Sequence, residues 1–289
     1  MKIYFKIILL SISLTALVLT SCNQINAPYT KTQTSKPPDT TGGVVKKAFL
    51  EIYTGFTCGN CPTASDLAEQ LDSTYSGKMV IMEIHSGHYA DPNAVHTYDF
   101  RTPVGNDLNT FFGADKIGNP NGTVNRVAFN GNVVMYKNNW EGAIQNVIAQ
   151  KPIMTIAVTP YFNIKTNDID VTVNITYLLD GSSSHYLSVY LVEDSIVQYQ
   201  EDFRMTPIDI PNYVHNNVLR ASFNGTWGDQ LTTGTIRAGD VFKKEYHYTI
   251  PAGKDWRPDK LGVIAFVHDS GNSTEVFQVE RNNNLILYF

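Results

Sequence analysis

The chain has 289 residues, 43% of them hydrophobic and 17% charged, with a formal net charge of −5. That is globular composition, long enough for one large or two ordinary domains, and its mild acidity argues against nucleic acid as a partner. Its 16 Tyr and 14 Phe residues lean toward β structure.

The chain opens MKIYFKIILLSISLTALVLTSC. Lys2 and Lys6 form a short basic region ahead of an apolar stretch from Ile7 to Thr20, which is too short for a comfortable membrane span. The stretch ends in Leu19-Thr20-Ser21-Cys22, which resembles a bacterial lipobox. That resemblance implies a signal peptide over residues 1–21, removed before Cys22, and diacylglycerol on the Cys22 sulfur as the membrane anchor. The alternative is an ordinary signal peptide followed by an unrelated cysteine. Asn23 stands where an Asp would favour the inner membrane, so similarity to lipoprotein sorting favours the outer one. No acidic cluster follows Cys22, so the periplasmic face is preferred over surface display. Residues 22–43 lack apolar periodicity and are rich in Thr, Pro, Gln and Gly, as a lipidated flexible tether would be.

With Cys22 assigned to lipid, Cys58 and Cys61 remain as a pair in a compartment that permits disulfides. The run Ala48–Tyr53 suits a buried strand. Pro62 stands where a first helical turn tolerates proline, Ala64, Leu67, Ala68 and Leu71 recur at helical spacing, and Gly77 closes the segment. KMVIMEIH, ending at His85, is a second strand, and the short crossover requires the two to be parallel. A loop over 86–103 and a helix near Asn106–Phe112 precede Val124–Phe129 and Val133–Tyr136, which flank the hairpin pair Asn130-Gly131. Trp140, Ile144, Val147 and Ile148 mark a further helix. From Pro152 the texture changes to alternating strand-like runs, among them Ile153–Phe162, Asp168–Leu179 and His185–Val197. Around seven such runs without a convincing helix suggest a β-sandwich of immunoglobulin-like type. The expected organisation is therefore an α/β domain over 44–151 and an all-β domain over 152–289.

The order strand, CxxC, helix, strand, helix, proline, hairpin, helix over 44–151 resembles a thioredoxin fold. Over nearly the whole mature chain, three further features accompany the lipobox: Glu51-x-Tyr-Thr-Gly-x-x-Cys58-x-x-Cys61-Pro62, Pro120-x-Gly122-x-Val-Asn125-Arg126 and Tyr213-Val-His215-Asn216-x-Val-Leu219-Arg220. Together they resemble the outer-membrane-protein-28 family of bacterial lipoproteins. The resemblance implies a thioredoxin-like domain followed by an immunoglobulin-like one. It also implies that Pro120 matches the proline, usually cis, that faces the disulfide in thioredoxin-like proteins.

The chemistry expected of the pair follows from its place at a helix start. Free N–H groups there stabilise a thiolate on Cys58, so Cys58 would attack a protein disulfide and Cys61 would resolve the mixed disulfide. Three departures from a typical thioredoxin weigh against efficient turnover. Thr57 replaces a Trp, Ile52 replaces a buried acid, and alternation turns Glu51 to the other face of its strand. A structural disulfide is the plain alternative, although so short a ring gains little from loop closure. One CxxC supplies only two zinc ligands, so no metal site is assigned, and no cofactor is implied.

His85, with His88, Asp91, His96 and Asp99 nearby, could approach Cys58 or could belong to a polar loop. His215, Asn216 and Arg220 could meet a ligand, a partner or the first domain. Two functions stay open. One is a lipid-anchored thiol–disulfide exchanger acting on protein substrates. The other is a non-enzymatic outer-membrane binding lipoprotein that uses the fold as a scaffold.

Overall fold

The computed structural model describes residues 43–271 and 273–289. The expected signal peptide, Cys22 and all of the expected tether except Gly43 lie outside the described residues. Strand β1 (Ala48–Thr54), helix α1 (Cys61–Thr74) and strand β2 (Met79–His85) form the parallel β–α–β unit that the sequence predicts. Both strands are buried along their whole length, which is why they read as apolar runs without alternation. Pro62 sits in the first turn of α1, where its missing N–H removes no helical bond, and Ala64, Ala68 and Leu71 face inward.

Helix α2 (Pro103–Phe112) begins with Thr102 accepting the Gly105 N–H and ends at Gly113 in the left-handed region. A short α3 (Ala114–Ile117), β3 (Asn121–Val124), β4 (Met135–Tyr136) and α4 (Trp140–Ile148) follow. The strand expected to reach Phe129 stops at Val124, because Asn125 and Arg126 take φ of 48° and 55°. The Asn125 side chain accepts the Phe49 N–H at 2.8 Å and donates to the Val276 carbonyl at 2.9 Å, so the chain leaves the ladder to tie two distant strands. Asn130 and Gly131 do make the tight turn, both with positive φ.

The C-terminal part consists of β5 (Met154–Asn163), β6 (Asp168–Tyr177), β7 (His185–Glu193), β8 (Ile196–Glu201), β9 (Asp209–His215), β10 (Val218–Ser222), β11 (Asp229–Gln230), β12 (Val241–Thr249), β13 (Leu261–Asp269), β14 (Val276–Asn282) and β15 (Ile286–Tyr288). The run expected as one strand from His185 to Val197 is broken at Ser195, which has φ of 60° and gives its N–H to the Asn216 side chain. The residues beyond that break start the β8–β9 hairpin.

Among the described residues, strands from both sides of residue 152 share one sheet, in the order β14-β13-β7-β10-β2-β1-β3-β4, with β11 beside β7. The junction is the parallel pair β10–β2, where Val218 sits opposite Glu83 and the Glu83 N–H donates to the Asn217 carbonyl. A four-stranded sheet, β12-β6-β5-β15, covers one face of β7 and β13. The fold is thus mixed α/β and dominated by strands.

Alternation assigns each layer. Leu187, Val189 and Leu191 of β7 face the four-stranded sheet, whereas Tyr190 and Val192 meet Phe49, Tyr53, Met82 and Ile84 of β1 and β2. On the opposite face of β1, Leu50 and Ile52 pack under α1 and α4.

Candidate functional site

Cys58 and Cys61 are joined as a disulfide at the mouth of α1. Cys61 is the first helical residue and Asn60 the N-cap, so Cys58 stands just before the helix, at the positive end of its dipole. Backbone bonds from Cys58 N–H to Gly55 and from Cys61 N–H to the Cys58 carbonyl fold the loop tightly onto the end of β1. Both cysteines are buried, at 3% and 2% exposure.

Pro120 follows a cis peptide bond and precedes Asn121, which is paired with Tyr53. It therefore lies at the C-terminal end of β1, the end from which the cysteine loop leaves.

Ile52 is no acid, but its neighbour across the ladder is. Glu83 of β2 is the register partner of Ile52 and points to the same face, under α1. Ser65, one helical turn after Cys61, donates its hydroxyl to Glu83 Oε1 at 2.6 Å. Burial pushes the Glu83 carboxyl up to about 7, against the Ser65 hydrogen bond and with the support of Glu69, Asp194 and Asp66. The sequence signal for this residue is a single acid inside the apolar run MVIMEIH.

Glu51 faces the other way, as alternation requires. Its carboxylate takes two bonds from Arg126, at 2.7 and 2.8 Å, and a third from the Thr123 hydroxyl, with both charged side chains at 0% exposure. The guanidinium lies 5.0 Å from the Phe266 ring centre and 5.9 Å from that of Trp227. This pair belongs to the core.

The structure gathers three of the four remaining candidates around Phe100. His85 stacks on that ring at 4.3 Å and meets the edge of His215 at 5.3 Å. Burial drives the His85 imidazole well below its usual value and His215 down to about 4, so both are neutral near pH 7. Arg220 bonds the Tyr98 hydroxyl, lies over Trp256 and faces Glu193 at 3.1 Å. Asn216 turns away toward Ser195 and Glu69.

Asp91 and Asp99 both serve Arg101, and His96 stacks on Tyr199. Among the described residues, no group of three or more His, Cys, Asp and Glu stands ready to hold a metal ion. Beside Phe56 of the cysteine loop opens a cleft of about 640 Å³, walled by His96, Tyr98, Phe100, Tyr199 and Arg220. Among the described residues no helix is long and apolar enough to cross a membrane.

No curated protein matches the chain. Among solved structures it is similar to HBP35 of Porphyromonas gingivalis, with a TM-score of 0.62 at 16% identity over 84% of this chain and 76% of that one. A protein from Agrobacterium tumefaciens aligns at a TM-score of 0.51 and 11% identity, over 86% of this chain and 100% of the other. A domain of the outer membrane lipoprotein Omp28 from Porphyromonas gingivalis aligns at 21% identity and a TM-score of 0.33, over 48% and 93% respectively. The family model described as outer membrane protein Omp28 matches residues 108–284, more than half of the sequence. The chain belongs to the Omp28 family of outer membrane proteins.

Proposed function

We propose that this chain is a lipid-anchored envelope protein that exchanges disulfides with protein thiols through Cys58 and Cys61. The observation that carries this reading is a disulfide closed across the N-terminus of α1, with the buried Glu83 carboxyl of β2 bonded to Ser65 one helical turn after Cys61. We read residues 44–151 as a thioredoxin-like unit and 152–289 as an immunoglobulin-like one. The β–α–β unit followed by the β3–β4 pair supports the first, and the facing sheets around β5–β7 and β13 support the second. Cys22 would carry the lipid at the periplasmic face of the outer membrane.

Exchange starts when a partner thiolate attacks the Cys58 sulfur. The Cys58–Cys61 bond breaks and Cys61 leaves as a thiolate, which takes a proton. A second thiolate of the partner attacks the mixed disulfide and releases Cys58 as a thiolate. Two electrons pass from partner to pair, and the partner keeps the new disulfide. The same steps in reverse reduce a partner disulfide. The helix N-terminus stabilises the Cys58 thiolate, and Glu83, with a pKa near neutrality, suits proton exchange with Cys61.

The burial of both cysteines favours a second reading, in which the disulfide is structural and the aromatic cleft beside Phe56 does the binding. The reduction potential of the pair separates the two. Roughly −270 to −120 mV means an exchangeable disulfide, and a value below about −300 mV means an inert one.

A further inference from the structure

The β8–β9 hairpin forms a two-stranded sheet of its own, outside both larger sheets. Its tip lies along the cysteine loop. The Glu201 N–H donates to the Phe56 carbonyl at 2.8 Å, and the Phe203 N–H donates to the Gly59 carbonyl at 2.9 Å. The Met205 N–H closes a turn on the Asp202 carbonyl at 3.0 Å, so the tip meets the loop as a tight turn that directs the Glu201 and Phe203 N–H groups toward it. The Gln200 side-chain amide reaches the Cys58 carbonyl at 3.1 Å. The Phe203 ring lies so close over Gly59 that a Cβ there would overlap it.

Gln200 and Asp202 are buried within the segment, at 2% and 4% exposure, and the hold loosens beyond them. Arg204 reaches Asp66 of α1 at 2.6 Å, but these side chains are 45% and 60% exposed, where an ion pair contributes little. Phe203 itself remains 58% exposed. The segment covers the loop on both sides of Cys58 through main-chain bonds that another polypeptide turn can reproduce.

We propose that residues 200–204 occupy, as an internal stand-in, the docking groove for a turn-forming protein segment that carries an aromatic side chain over Gly59. Such a segment, with a cysteine near that aromatic, displaces the tip, gives two of its own N–H groups to the Phe56 and Gly59 carbonyls, and brings its thiolate to Cys58. The proposal rests on the exchange reading of the same site and names its substrate class. It also assigns the burial of the cysteines to a removable cover.

The test is the rate at which dithiothreitol reduces the pair in the full chain in detergent, with new thiols alkylated and the Cys58–Cys61 peptide read by mass spectrometry. In this reaction one dithiothreitol closes to its cyclic disulfide as the two cysteines gain its electrons and protons. Phe203→Ala should speed reduction by about tenfold or more, and Asp66→Asn, which removes only an exposed ion pair, by about fivefold at most. A synthetic peptide with the sequence of residues 199–206 should slow Phe203→Ala again, and the same peptide with Ala in place of its Phe should not. Unchanged rates in both variants, or equal effects of the two peptides, would overturn the proposal. Rate and potential fail separately. A potential below about −300 mV with accelerated variants removes the exchange reading but keeps the cover, and an exchangeable potential with unchanged rates does the reverse.

Discussion

Ser65 donates its hydroxyl to Glu83 across the α1–β2 interface at 2.6 Å, one helical turn from Cys61. The buried acid under α1 comes from the strand beside β1, at the register position of Ile52.

The linkage sign for Glu83 is definite. Its carboxyl is raised from 4.5 to about 7, so the folded state holds a proton that the unfolded state has released. The contribution to stability is fully present below pH 4.5 and is lost as pH rises through 7. The gap corresponds to about 3 kcal/mol. Urea midpoints of wild type and Glu83→Gln, taken from pH 4 to 8.5, should therefore diverge, with wild type falling relative to the variant as pH rises. Parallel curves would show that Glu83 titrates normally. In exchange assays the same substitution should remove an inflection near pH 7 from the rate profile.

Part of this site was legible in the sequence. The CxxC before a helical run, the β–α–β order and the inversion of Glu51 all follow from local periodicity. The Glu83–Ile52 pairing does not, because register between two uniformly apolar strands leaves no trace in either one. The β8–β9 hairpin was hidden for another reason. Its start merges with β7 in one strand-like run, and the break falls on Ser195, a residue without the turn signal that a glycine carries. The cover over the cysteines was thus invisible even though the cysteines themselves were not.

Glu51 and Arg126 are fully desolvated, so removing either leaves a charge without its partner. Glu51→Gln should cost about 3–5 kcal/mol in denaturant unfolding, and Glu51→Leu combined with Arg126→Met should cost clearly less than the sum of the single changes. Additive losses would mean that the pair is not coupled, contrary to its bidentate geometry.

The disulfide spans a sequence separation of three, so its loop-closure contribution is small. Cys58→Ser with Cys61→Ser should lower unfolding stability by about 2 kcal/mol or less. A much larger loss would assign these cysteines a packing role that their low exposure allows, and would favour the structural reading of the pair.

His85 offers the last test. Neither of its ring nitrogens has a hydrogen-bond partner, although the ring stacks well on Phe100. The titratable and charged groups that face it are His215 from β9 and Arg220 from β10, and after burial both disfavour its protonation. Its folded pKa is depressed, so its contribution is present above about pH 6.5 and is lost as pH falls further. His85→Phe keeps the stacking, removes two unsatisfied nitrogens and removes one acid-labile group. It should hold or raise the melting temperature at pH 7, by the equivalent of about 1–3 kcal/mol at most, and should flatten the decline between pH 6 and 4. A clear loss of stability at pH 7 would mean that the imidazole nitrogens are satisfied in solution by a polar partner. The search for the ligand of the cleft beside Phe100 would then begin at His85.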